Sequence, residues 1–137
     1  MIFDKQLMMS EAQNPTTVAA HASTNVIDLD KAGLDAGNSD IEVFVRVKTA
    51  VTSAGDATVA FALETAADEA FTDGKVTLKD SGALAKTALV ANYQPFKIKL
   101  PYGCKRYVRM LYTIGTAVLT AGAFDAGLIL DRQTNHA

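Results

Sequence analysis

Between Asp40 and Thr49 the chain reads Asp-Ile-Glu-Val-Phe-Val-Arg-Val-Lys-Thr, and valine or isoleucine occupies every second position. Successive side chains of a strand point to opposite faces. Ile41, Val43, Val45 and Val47 therefore share one face, and Glu42, Phe44, Arg46 and Lys48 share the other. This pattern predicts a strand with one side on a core. The same alternation returns from Thr58 to Glu64, with Val59, Phe61 and Leu63 inward, and at Phe96, Ile98 and Leu100 between Lys97 and Lys99. It returns again from Tyr107 to Thr113, where Val108, Met110 and Tyr112 oppose Arg109 and Leu111. Thr24 to Leu29 reads as an early strand and Ala126 to Asp131 as a last one.

Turn-forming clusters separate these runs: Ala36 to Asp40, Ser53 to Asp56, Thr72 to Gly74, Asp80 to Gly82, Pro101 to Gly103 and Ala121-Gly122. Short alternating strands at such spacing predict an all-β domain, an antiparallel sandwich or barrel. Helical periodicity is weak, with one or two turns possible over Ala83 to Ala91 and one over Thr65 to Ala70. The whole chain, residues 1–137, reads as one domain. Residues 1–22 look partly arm-like, with a polar stretch from Ser10 to Ala22 broken by Pro15, and residues 132–137 form a polar tail.

Composition narrows the chemistry. A formal net charge of -2 removes the general drive toward phosphates, so no nucleic-acid partner is expected. No apolar run reaches the roughly 18 residues of a membrane span, so no membrane partner is expected either. The opening Met1-Ile2-Phe3-Asp4-Lys5 has an acid where a secretion signal carries cations. The chain is expected to begin there and to be made in, and remain in, a cytoplasm. One cysteine and two histidines support neither a disulfide nor a zinc cluster.

Cys104 sits next to Lys105 and Arg106, which could depress a thiol pKa, but it has no neighbouring histidine and no resolving cysteine. It reads as a small residue at a Pro-Tyr-Gly turn. Lys97, Lys99, Lys105, Arg106 and Arg109 with Tyr102 and Tyr107 imitate a single-strand-binding stripe. Alternation makes the lysines solvated outer positions instead, better suited to an acidic protein surface. The acids at 28–35 and 68–73 lack calcium-loop spacing, and the glycines form no phosphate loop. No enzyme activity and no cofactor are expected. The apolar residues left over matter more: Phe44 and Leu111 on outer strand faces, and Ile2, Phe3, Leu7, Met8 and Met9 at the terminus. Either the sandwich and its loops cover both sheet faces, or these residues form a surface for self-association or docking, including addition of the terminal strand to a neighbour's sheet edge.

Four segments in order, "MIFDKQLMMSEAQ", "STNVIDL", "PYGCKRYVRMLYT" and "AGLILDRQTN", resemble the Bordetella-phage-type capsid cement proteins along nearly the whole chain. The resemblance implies a jelly-roll subunit on the outer surface of a tailed-phage virion. It implies binding to the HK97-type major capsid protein and to itself as a homodimer, with no cofactor and no metal. The contact residues expected are Phe3, Leu7, Met8, Phe44, Arg106, Arg109, Leu111 and Arg132. The apolar ones would bury against a neighbour, and the arginines would pair with capsid carboxylates. The alternative reading is a virion-surface carbohydrate-binding or host-adhesion β-domain, which the absence of tryptophan argues against.

Overall fold

The computed structural model describes residues 5–30, 41–95, 97–101 and 103–129. Its strands are β1 (Met8–Gln13), β2 (Ala20–Ala22), β3 (Ile27–Asp28), β4 (Glu42–Thr52), β5 (Thr58–Ala66), β6 (Val76–Ala85), β7 (Lys97–Lys99), β8 (Tyr107–Gly115) and β9 (Ala121–Ile129). One antiparallel sheet, sheet A, runs β1-β9-β4-β7, and the other, sheet B, runs β2-β8-β5-β6 with β3 also on β8. If β2 and β3 are taken as one interrupted strand, the pairs β1·β9, β2/β3·β8, β4·β7 and β5·β6 nest inside one another. A long hairpin has thus been rolled into two facing sheets, which is the jelly-roll arrangement. The expectation of an all-β sandwich of this type holds.

Rolling brings β4 against β9 and β5 against β8, the latter in unbroken register from Thr58↔Gly115 to Ala66↔Tyr107. The alternation read from the sequence sets these registers. Val43, Val45, Val47, Val59, Phe61, Leu63, Val108, Met110 and Tyr112 are all fully buried between the sheets. At the centre, Phe124 of β9 meets Phe61 of β5 edge-on (5.1 Å between centroids) and stacks on Tyr112 of β8 (5.3 Å). Phe61 and Tyr112 are themselves edge-to-face at 5.8 Å. Each such pair adds to simple burial by about 0.5–1.5 kcal/mol, and the two pairs made by Phe124 cross from one sheet to the other.

Tyr112 also carries a hydroxyl into this interior, where it requires a partner. It donates to Ser10 Oγ (2.8 Å), which donates on to Gln13 Oε1 (2.7 Å). Gln13 Oε1 accepts from the Thr24 backbone N–H (3.0 Å), and Gln13 Nε2 donates to the Ala22 carbonyl (2.9 Å). A polar chain therefore runs through the core and ties β1 of sheet A to the β2–β3 segment of sheet B. β1 is shaped for this by register shifts on either side of Ser10. They turn Met9 and Ser10 both inward while Met8 stays outside on Phe44 and Ile129.

Several sequence-based expectations are corrected. The stretch from Ser10 to Ala22 contains most of β1 and all of β2 and is not a loose arm. Phe44 does not present an apolar surface: it is fully buried on the outer side of sheet A beneath Met8 and Ile129. The early strand shrinks to Ile27–Asp28, and the last one begins at Ala121, so Ala121-Gly122 is strand and not turn. Thr65 to Ala70 forms no helical turn, and Ala83 to Ala91 contains only the 3-10 turn Lys86–Ala88. Asp80-Ser-Gly82 lies inside β6, where the register slips against Ala60 and Ala62. Gly82 takes a positive φ of 72° there, and Ser81 Oγ replaces a backbone acceptor for the Phe61 N–H (3.0 Å). A glycine bulge within a strand and a glycine turn between strands are alike in sequence.

Tyr112→Phe removes the donor that satisfies Ser10 while keeping the ring stack. It should lower stability by about 1–2 kcal/mol, read as a shift in the urea midpoint; an unchanged midpoint would show that the polar chain contributes nothing.

Candidate functional site

The residues expected to carry contacts do not form one patch. Phe3, Arg132, Tyr102, Phe96 and the Ala36–Asp40 turn lie outside the described residues. Leu7 ends a 3-10 turn (Lys5–Leu7) and is half-buried, and Met8 is buried. Both pack back onto their own chain, and a side chain on Gly127 of β9 would strike the Leu7 carbonyl (2.8 Å) and Met8 Sδ (2.9 Å). Arg106, Arg109 and Leu111 belong to the other sheet. Met8 therefore lies on the outer side of sheet A and Leu7 against the core between the sheets, while Arg109 and Leu111 lie on the outer side of sheet B.

The Pro101–Thr113 block is largely occupied with structure. Cys104 is buried, its S–H donates to the Pro101 carbonyl (3.0 Å), and burial pushes its thiol up to about 11. Little thiolate exists near neutrality in such a setting. The Lys105 backbone N–H donates to Thr65 Oγ1 (2.8 Å) and its ammonium to the Gly74 carbonyl. Arg106 grips Asp28 with two nitrogens, at 2.8 and 2.9 Å. This grip, with the Asp30 backbone N–H, lowers the Asp28 carboxyl to about 2. Arg106 nevertheless remains 45% exposed along its side chain.

Arg109 is held more tightly. Its Nε donates to Glu64 Oε2 (2.9 Å), and the two side chains are 17% and 4% exposed. Phe71 lies across the guanidinium at 4.1 Å. It reaches that position because the β5–β6 connection, residues 67–75, folds back over the outer side of sheet B. Asp68 fastens that strap by accepting from the Thr72 and Asp73 backbone N–H groups (both 2.9 Å) and from the Thr72 hydroxyl, and these bonds lower its pKa. Phe71 adopts φ 57°, a left-handed geometry that costs a non-glycine residue about 1–2 kcal/mol and persists because its ring is buried. Leu111 sits half-buried on this face between Ala22 and Ala62.

The outer side of sheet A carries the cavity that sequence spacing did not reveal. It measures about 200 Å³ and is lined by Lys5, Met8, Glu11, Arg46, Lys48 and Asp125. Asp125 is nearly buried, bonded to Arg46 (2.6 Å) and to the Ala12 backbone N–H (2.7 Å). That backbone bond accompanies the positive φ of 50° at Ala12, so the carboxylate shapes the rim. Lys5, Glu11 and Lys48 remain exposed around it. The cavity's residues come from the Lys5–Leu7 turn, β1, β4 and β9, up to 120 positions apart, and only the alternation of β4 hinted that Arg46 and Lys48 share a face. Among the described residues, no three His, Cys, Asp or Glu side chains gather as a metal would need. No helix there is long and apolar enough to cross a membrane.

Arg109→Ala strands Glu64 as a buried unpaired charge and should cost about 3–5 kcal/mol. Arg106→Ala, at an exposed pair, should cost far less. Equal losses in thermal unfolding would refute the distinction. Cys104 in the folded protein should react with a water-soluble disulfide reagent at about pH 8 much more slowly than in denaturant, as followed by thiol absorbance; equal rates would mean the thiol is open.

Comparison with curated proteins finds no match. The model of the Bbp16 family matches residues 9–128. The family's name points to a Bordetella phage protein, and a structural role in the virion is compatible with it. Because the match reaches every strand of the nested set, from β1 to β9, the chain is a member of the Bbp16 family.

Proposed function

We propose that the protein is a non-enzymatic component of a phage head that decorates and stabilises the capsid, binding the HK97-type major capsid protein and further copies of itself as a dimer. The observation that carries this reading is membership of the Bbp16 family in a chain whose reactive-looking groups serve its own fold. The thiol is buried, Arg109 neutralises Glu64, and Arg106 neutralises Asp28. What such a unit offers is shape and surface charge. A ligand that binds the assembled lattice and not its separated pieces stabilises that lattice by linkage, and many copies on one particle act together.

β1 belongs to the subunit's own sheet, so an N-terminal arm that reaches a neighbour would lie before Met8 and would not include the buried Met9. Purified protein should sediment with undecorated heads, raise their unfolding temperature, and release as salt increases. Failure to sediment with heads at low salt would end the proposal.

A further inference from the structure

Among the described residues, charge is divided between the two outer faces. Sheet A presents Lys5, Arg46, Lys48, Lys97 and Lys99 against Glu11, Glu42 and Asp125. Sheet B, with the connections that fold over it, presents five cations against seven carboxylates: Lys75, Lys79, Lys105, Arg106 and Arg109 against Asp28, Asp30, Glu64, Asp68, Glu69, Asp73 and Asp80. A chain of net negative charge thus has one positive side. That side is not where the sequence's densest basic block lies, because Arg106 and Arg109 are paired within the chain.

The cavity between β1 and β4 concentrates this charge. Arg46 is already committed to Asp125. Lys5 and Lys48 are exposed on the same cavity and make no ion pair or hydrogen bond with any described residue. Glu11 is the remaining acid of the lining, so among the described lining residues the cations outnumber the carboxylates by one, beside the apolar Met8. An extended acidic protein segment meets these features: a carboxylate between the two lysines, and an apolar neighbour against the methionine. Complementary charge of this kind steers approach and sets orientation.

We infer that the cavity lined by Lys5, Met8 and Lys48 is a docking site for an acidic segment of the capsid partner, and that sheet A is the side applied to the shell. The inference rests on the proposed decorating role. Two experiments separate them. In the first, the full-length ¹⁵N-labelled protein is titrated with a short poly-glutamate peptide. Saturable shifts should centre on Lys5, Met8, Glu11 and Lys48 and vanish in K5E/K48E. Shifts spread evenly, centred on sheet B, or retained in K5E/K48E would overturn the site.

In the second, head sedimentation compares wild type, K5E/K48E, the milder K5Q/K48Q, and the β6 reversal K75E/K79E as control. The lysines are exposed, and each variant's melting curve verifies its fold. K5E/K48E should bind about tenfold or more weakly, K5Q/K48Q in between, and K75E/K79E like wild type. If wild type binds and K5E/K48E binds equally well, the docking site is wrong and the decorating role stands. If wild type fails to bind while the peptide still maps to the cavity, the role is wrong and an acidic-segment site remains.

Discussion

The Tyr112 hydroxyl and Ser10 meet inside a core whose two sheets otherwise pack there mainly through hydrocarbon and aromatic rings. A jelly roll is closed by its first and last strands, and β1 is where this one would open most easily. It is six residues long, its register slips on both sides of Ser10, and it pairs on one edge only. Hydrophobic burial alone would hold Met9 but would not choose its register, because apolar contact is non-directional. The bond from Tyr112 chooses it. With Ser10 placed, Gln13 can reach Thr24 and Ala22, and Ala12 can reach Asp125. Asp125 in turn holds Arg46 and shapes the cavity rim. The core bond and the outer-face cavity are therefore successive parts of one network.

The two buried ion pairs follow a common logic on opposite faces. Each places a carboxylate of a central strand, Glu64 on β5 or Asp125 on β9, on the outer side of its sheet and then covers it. Phe71 and the strap cover Glu64, and β1 covers Asp125. Replacement by apolar residues could match their stability. What the pairs do here is fix where a strap and a terminal strand settle on otherwise featureless sheet faces.

The sequence showed most where strands are central and bury one face. β4, β5 and β8 were legible from Val43, Phe61 and Tyr112 because period two is enforced by burial on one side only. It showed least at the edges. β6 is largely exposed and meets the core only through the half-buried Leu78 and Leu84, so little alternation is selected; two register slips erase what remains. β1 was misread for a related reason, since its bulge turns two consecutive residues inward. Phe44 followed the alternation faithfully, but alternation names a face and not what covers it, and the cover comes from residues 36 positions before it and 85 after. The cavity on sheet A was hidden for the same reason: its charges meet only through sheet order.

Strand edges limit how this fold can meet other chains. An open strand edge invites another chain to pair with it, and a β-sandwich that stays a discrete unit must not polymerise along its edges. Each of the four edges is short or interrupted. β6 carries two register slips, and β1 two more. β7 has three residues, and the β2/β3 edge is split into strands of three and two. Backbone pairing over any length is disfavoured at all of them. Contact then falls to the outer faces and to the segments beyond the sheets, where charge sets orientation. Sheet A's lysines and sheet B's surplus of carboxylates make the faces unequal, so approach to an acidic surface would present one side and leave the other outward.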